Sequence, residues 1–185
     1  LCAAFGTTSA SPMLHIKGHT PECELPSTQD ATSVTIGTND LLNLWQKFNT
    51  GTNKIDLVAI GSPHASYDEC TKFLKLLFLK SQSVVVPTIL TVGRETHTKL
   101  RNQGGLKQLS KLGVQVISDI CWCSITEPVF PSKTQSLITN SGKYAHYGEG
   151  LTGRNIRFGS LADCAIAAST GCVNDEVPNW LNSST

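Results

Sequence analysis

Two periods of hydrophobic spacing alternate along this chain. Leu41, Leu44, Trp45 and Phe48 recur at i, i+3, i+4, i+7 behind Thr38, Asn39 and Asp40, which predicts a capped amphipathic helix ended by the segment from Gly51 to Lys54. The apolar, β-branched run from Ile55 to Ile60 then predicts a strand that stops at Gly61-Ser62-Pro63-His64. Ser66-Tyr67-Asp68-Glu69 has capping-box spacing, and Tyr67, Cys70, Leu74 and Leu77 continue one helical face towards Lys80. A second strand is predicted over Thr88 to Val92, with Val84 to Val86 a separate piece because Pro87 removes a ladder donor. Leucines at 100, 106, 109 and 112 predict a helix from Arg94 to Leu112 that bends or breaks at Gly104-Gly105. Val114 to Ser118 reads as a third strand leading to Asp119-Ile120-Cys121, and Ser160 to Thr170, stopped by Gly171, as a last helix.

Strands alternating with helices imply parallel pairing through helical crossovers. The expected fold is α/β: a three-layer αβα sandwich with a mainly parallel sheet, residues 1–185 forming one domain. In such a fold ligands sit beyond the carboxyl ends of the strands. Gly61 to His64, Gly93-Arg94 and Asp119 to Cys123 are the loops that sequence order brings there.

Composition narrows the function. The 185 residues carry a formal net charge of +1, which offers no field for a nucleic-acid backbone or an anionic membrane. No apolar run reaches the roughly 18 residues of a membrane span. Seven cysteines, an odd and scattered set, suggest a reduced, cytoplasmic protein rather than a disulfide scaffold. Leu1-Cys2-Ala3-Ala4-Phe5-Gly6 has neither a basic leader nor an initiator Met, so the chain is expected to start inside a longer protein. The Asn182-Ser183-Ser184 sequon is too common a pattern to change this reading. Neither a dinucleotide or Walker glycine loop nor a Gly-x-Ser-x-Gly elbow occurs.

The densest chemistry lies in Thr139 to Tyr147. Asn140 and Ser141 are suited to hydrogen-bond a hydroxylated substrate, Lys143 to pair with its carboxylate, and Tyr144 and His146 to donate or accept. The bland alternative is a polar surface loop. His64 follows a strand exit and precedes a capped helix, and Arg94 offers a planar fork for a carboxylate or phosphate, or for a surface acid. Cys121 and Cys123 sit just past a strand, and Cys164 lies in the first turn of the last helix, where amides favour a thiolate. Metal ligation and simple burial as small hydrophobes both remain open for these thiols. Cys2, Cys23, Cys70 and Cys172 read as structural.

Gly18-His19-Thr20-Pro21-Glu22, Ile60-Gly61-Ser62-Pro63-His64, Asp119-Ile120-Cys121, Thr139 to Tyr147 and Phe158 to Cys164 follow one another in the order of a known family. The chain resembles the aconitase X hydro-lyases, which include cis-3-hydroxy-L-proline and phosphomevalonate dehydratases. The resemblance implies an aconitase-like fold, an iron–sulfur centre as Lewis acid, and removal of water from a small hydroxy acid such as cis-3-hydroxy-L-proline, with phosphomevalonate as the alternative. It implies Cys121 and Cys164 as cluster ligands, with Ser62 where family members often carry cysteine; serine is a harder donor that holds iron less firmly. Cys123 matches no family ligand. Ser141 and Lys143 become the catalytic candidates, and His64, Arg94, Asn140, Tyr144 and His146 the substrate-binding ones. The chain looks like the carboxyl-terminal part of the catalytic region, its swivelling domain or small subunit to be supplied in cis or in trans. A non-catalytic remnant of the same fold and a Rossmann-like small-molecule binder are the competing readings.

Overall fold

The structure, a computed structural model, describes residues 2–9, 13–24, 29–79 and 83–182. Leu1, Lys80 and the sequon's Ser183 and Ser184 lie outside the described residues. Its centre is a five-stranded sheet in the order β3-β2-β1-β4-β5, every pair parallel. The strands are β1 (Leu57–Ala65), β2 (Thr88–Val92), β3 (Val114–Ser118), β4 (Ser136–Thr139) and β5 (Asn155–Phe158). The helices are α1 (Cys2–Thr8), α2 (Thr38–Phe48), α3 (Tyr67–Leu79), α4 (Arg94–Asn102), α5 (Gly105–Lys111), α6 (Gly142–Thr152), α7 (Leu161–Thr170) and α8 (Asn179–Asn182).

The period of two along the strands divides the core into two layers. Val58, Ile60, Leu90, Val92 and Ile138 face one side, where α3, α5 and α7 bury Cys70, Phe73, Leu109 and Ala168 against them. Leu57, Ala59, Ile89 and Leu137 face the other, covered by Trp122, Ile125, Phe130 and Tyr144. Both faces of β1 are thus buried, which is why its sequence reads as a continuous apolar run rather than an alternating one. The α/β, parallel, helix-flanked architecture is the one expected.

Three strands and their helices lie near where the hydrophobic pattern puts them, and the break between α4 and α5 falls at Gly104, whose φ is +76°. The capping box at α3 forms: Ser66 N–H donates to Glu69 Oε2 at 2.8 Å and Glu69 N–H to Ser66 Oγ at 3.2 Å. The strand exit after Ile60 is a bulged extension rather than a free loop, since β1 resumes pairing at Ala65 with Val92. The tight passage requires Gly61. Its φ is +91°, and a Cβ there would stand 2.5 Å from the Thr91 carbonyl oxygen.

The segments that enter and leave the sheet layer are joined to each other. Ile55 N–H donates to Gly171 O at 2.8 Å, Val173 N–H to Asn53 O at 2.9 Å, and Lys54 bridges Cys172 in antiparallel fashion. Arg157 on β5, 1% exposed, completes the clasp through Gly51 O and Asn53 Oδ1, each at 2.7 Å, and an ion pair with Asp175.

Candidate active site

Strand order reverses at β1. The chain steps outward through β2 and β3, then returns to lay β4 and β5 on the other side, so the crevice at the carboxyl ends of β1 and β4 is the topological switch point. A cavity of about 430 Å³ opens there, lined by Gly61, Ser62, His64 and Glu69 from the β1 side and by Asn140 to Lys143 from the β4 side. Ala4 of α1 closes one edge.

Hydrogen bonds tie the two walls together. Asn140 accepts from Gly61 N–H through Oδ1 and donates through Nδ2 to Glu69 Oε1, both at 3.4 Å. Ser141 caps α6 by accepting from Tyr144 N–H at 3.3 Å, and its hydroxyl donates to Ser62 O at 3.2 Å. On the third side, the turn after β3 hangs from β1 because the indole of buried Trp122 donates to Ile60 O at 3.1 Å. That anchor brings Cys121 Sγ to 3.6 Å from Ser62 Oγ and 3.9 Å from Lys143 Nζ.

This setting activates one thiol. Burial pushes Cys121 up, but the Cys123 amide, the Ser62 hydroxyl and the Lys143 ammonium together outweigh it and bring Cys121 below the ordinary thiol value. Cys123 moves the other way, through burial and then through the charge on Cys121. The cleft therefore holds a nucleophilic or metal-binding sulfur beside a cation and the amino end of a helix, whose first-turn amides favour anions.

Not every expected residue arrives. Ser62, His64, Asn140, Ser141 and Lys143 line the cavity, and Cys121 stands beside Ser62. Arg94 stays outside: its side chain is 82% exposed and its Nε pairs with Asp119 Oδ2 at 2.9 Å, beside a shallower depression that His64 also borders. His146 is exposed on the outer face of α6, edge-on to Phe48 and Tyr147 rather than towards the cleft. Tyr144 is fully buried beneath the cleft, its hydroxyl without a partner, so it supports the site from below instead of touching its contents.

Cys164 lies in the first turn of α7 as expected, behind a capping box formed by Ser160 and Asp163. Its thiol, however, belongs to the apolar layer between the sheet and its helices, is fully buried, and is pushed up by that burial and by Asp163. The structure does not bring it to the cluster around Cys121. Glu69 also reaches the cleft, where its capping-box spacing gave it only a helix-capping role in advance, whereas Cys123, open in sequence to metal ligation or burial, packs against the layer of Trp122 and Tyr144.

Fold and site together define a parallel α/β protein with a polar cleft at its switch point, furnished with a thiol, a hydroxyl and an ammonium. Residues 55–170 match the model of the aconitase X third domain and residues 1–46 that of the aconitase X second domain. The chain belongs to the aconitase X family. It is 37% identical over 98% of its length to the cis-3-hydroxy-L-proline dehydratase of Hypocrea jecorina and 36% identical over 97% to that of Pseudomonas aeruginosa. It spans about a third of each of these relatives, 32% of their length. The phosphomevalonate dehydratase large subunit of Thermococcus kodakarensis is 28% identical over 80% of the chain, which spans 37% of that subunit. The crystal structure of the aconitase X of Thermococcus kodakaraensis in its holo form superposes with a TM-score of 0.78 at 26% identity, covering 90% of this chain and 42% of that one.

The family implies a metal cofactor. Among the described residues no group of three or more His, Cys, Asp or Glu side chains converges as a metal site. Cys121 Sγ does stand 3.6 Å from the Ser62 hydroxyl, Cys123 follows in the same turn, and the buried Tyr144 hydroxyl, whose ring packs on the Trp122 between them, has no acceptor. Soft sulfur donors with an orphaned donor beside them fit part of the shell of an iron–sulfur group.

Proposed function

We propose that the protein to which this chain belongs is a hydro-lyase that removes water from a small hydroxylated carboxylic acid, with cis-3-hydroxy-L-proline as substrate and an iron–sulfur centre at Cys121. The observation that carries the reading is the convergence of Cys121, Ser62 and Lys143 at the switch point. The higher identity to the hydroxyproline dehydratases supports that substrate over phosphomevalonate. When bound, the iron centre would supply Lewis acidity to the departing hydroxyl.

Everything else falls to the chain's own residues. The first-turn amides of Gly142 and Lys143 and the Asn140 amide hold the substrate carboxylate at the amino end of α6. Elimination then moves two protons: one leaves carbon and one joins the departing hydroxyl. Glu69 Oε1, in the cleft, takes the first. Lys143 Nζ gives up the second, so water leaves, the new double bond forms, and the pair resets by exchange with solvent. Ser141 is a positioning residue, because its proton is committed to Ser62 O and its oxygen to the Tyr144 amide. His64 borders the same cleft and orients the substrate from the β1 side, while Arg94, paired with Asp119, is left at its margin.

The swivelling domain or small subunit belongs to the same proposal, since the chain spans only part of its relatives. So does a cytoplasmic, reducing compartment, in which Cys121 and Cys123 stay available as thiols. No helix among the described residues is long and apolar enough to cross a membrane. A remnant that keeps the fold without turnover is the competing reading, favoured by Ser62. The test is turnover of cis-3-hydroxy-L-proline by the anaerobically purified protein, followed by NMR. Lys143→Met is expected to lower kcat by about 10²–10⁴-fold with a smaller change in KM, as loss of a general acid does. Full activity in that variant, or turnover of phosphomevalonate alone, would overturn the assignment.

A further inference from the structure

Cys123 is the one thiol near the cleft that neither the family resemblance nor the proposed reaction uses. It follows Cys121 in a tight turn whose middle residue cannot move: Trp122 is 1% exposed and hydrogen-bonded to Ile60 O, and Ser124 N–H donates to Cys121 O at 2.8 Å. With Trp122 fixed inward, Cys121 stands beside Ser62 at the rim of the cleft and Cys123 packs against the layer that holds Trp122 and Tyr144. Both are half-buried and belong to one tight turn, and Cys121 Sγ stands 3.6 Å from Ser62 Oγ.

Beneath them lies Tyr144. Its ring packs on Trp122 with centroids 5.6 Å apart, and its hydroxyl is buried, lacks a partner and senses the charge of both sulfurs. A buried donor without an acceptor is costly, and an acceptor at the turn of Cys121 and Cys123 would satisfy it. The other cysteines offer nothing comparable. Cys70 and Cys164 are enclosed in the apolar layer, Cys2 and Cys172 are exposed, and half-buried Cys23 donates to its neighbour Glu24.

We propose that Cys121 and Cys123 act together as a two-thiolate chelate for a thiophilic metal, Cys123 supplying the sulfur that Ser62 lacks and the Tyr144 hydroxyl donating to the sulfur pair. The identity of the native metal as iron rests on the reading above; the chelate itself does not. Binding releases the protons of both thiols to solvent and forms two metal–sulfur bonds without oxidation or reduction.

Cadmium is the probe. In the reduced, anaerobic chain, cadmium chloride is expected to bind one ion with thiolate-to-metal absorption in the near ultraviolet, and to protect Cys121 and Cys123 together from iodoacetamide in peptide mass mapping. Cys123→Ser is expected to weaken binding by more than about tenfold, Tyr144→Phe by less, and Cys172→Ser not at all. Protection of Cys121 without Cys123 in the unmodified chain, or unchanged affinity in Cys123→Ser, would overturn the chelate. Reconstitution with iron and sulfide separates the two ideas. Cadmium bound through both thiols with no iron uptake would refute the iron reading alone, whereas iron uptake undiminished in Cys123→Ser would refute the chelate alone.

Discussion

Replacing Gly61 by alanine tests whether the cleft depends on the bulged end of β1. Two costs add at this position. A positive φ strains any residue with a Cβ by about 1–2 kcal/mol. The added methyl would also stand 2.5 Å from both the carbonyl oxygen and Oγ1 of Thr91 and 2.9 Å from Ala65 N, and only Oγ1 can rotate away. Forced overpacking of this kind costs about 1–3 kcal/mol, so Gly61→Ala is expected to destabilise the chain by about 2–5 kcal/mol in all. Gly104→Ala is the matched control: its φ is +76° but its Cβ would meet nothing within 4 Å, so only the strain is paid. Urea denaturation of both variants measures the difference. A displaced Ser62 also loosens the contact to Cys121, so the rate of Cys121 alkylation is expected to change in Gly61→Ala and not in Gly104→Ala. Equal stability losses in the two variants would show that the close approach to Thr91 carries no energetic weight.

Two further outcomes are expected. Lys143→Gln removes the cation 3.9 Å from Cys121 Sγ, so the pH midpoint for Cys121 alkylation should move upward; an unmoved midpoint would mean that the ammonium does not act on the thiol. Burial, and secondarily Glu69, pushes Cys70 from 9.0 up to about 12, so the folded chain holds a proton there that the unfolded chain releases above pH 9. Stability should therefore be unaffected below pH 9 and fall as pH rises from 9 towards 12, by about 1.4 kcal/mol from this group at pH 10. Cys70→Ala should flatten that alkaline slope when unfolding is compared at pH 8 and pH 10, and an identical slope would contradict the assignment.

The half of the sheet formed by β1, β2 and β3 was legible because its strands are apolar runs bounded by Gly and Pro, and α3 carries a capping box and a clean apolar face. The other half was not. β4 is only four residues long, and α6 contains Gly142, Gly148 and Gly150, which propensity counts against a helix. Gly148 has a packing reason that sequence does not display: a Cβ there would lie 2.2 Å from Ile156 Cδ1. β5 carries a central arginine, which argues against a buried strand until Gly51, Asn53 and Asp175 are seen to satisfy most of its donors. In the site, loop order was enough to foresee that the β1 and β3 exits meet, but it counted the β2 exit at Arg94 among them, and the β4 exit was reached only through the polar density of Thr139 to Tyr147. Direction along a helix was not, because Cys164, Tyr144 and His146 have polar or reactive groups whose facing is decided by neighbours distant in sequence. The anchoring of Trp122 to Ile60 O is likewise a tertiary fact, and it fixes the turn that holds Cys121 and Cys123.

The clasp formed by Asn53, Lys54, Cys172, Val173 and Arg157 gives the sheet layer a single doorway. Chain arriving at residue 51 and chain departing at residue 175 meet there, at the base of the strands, while the reactive groups gather at the opposite rim. A layer closed in this way can be carried whole inside a larger architecture, with the preceding segment meeting the chemistry at the edge where Ala4 borders the cleft.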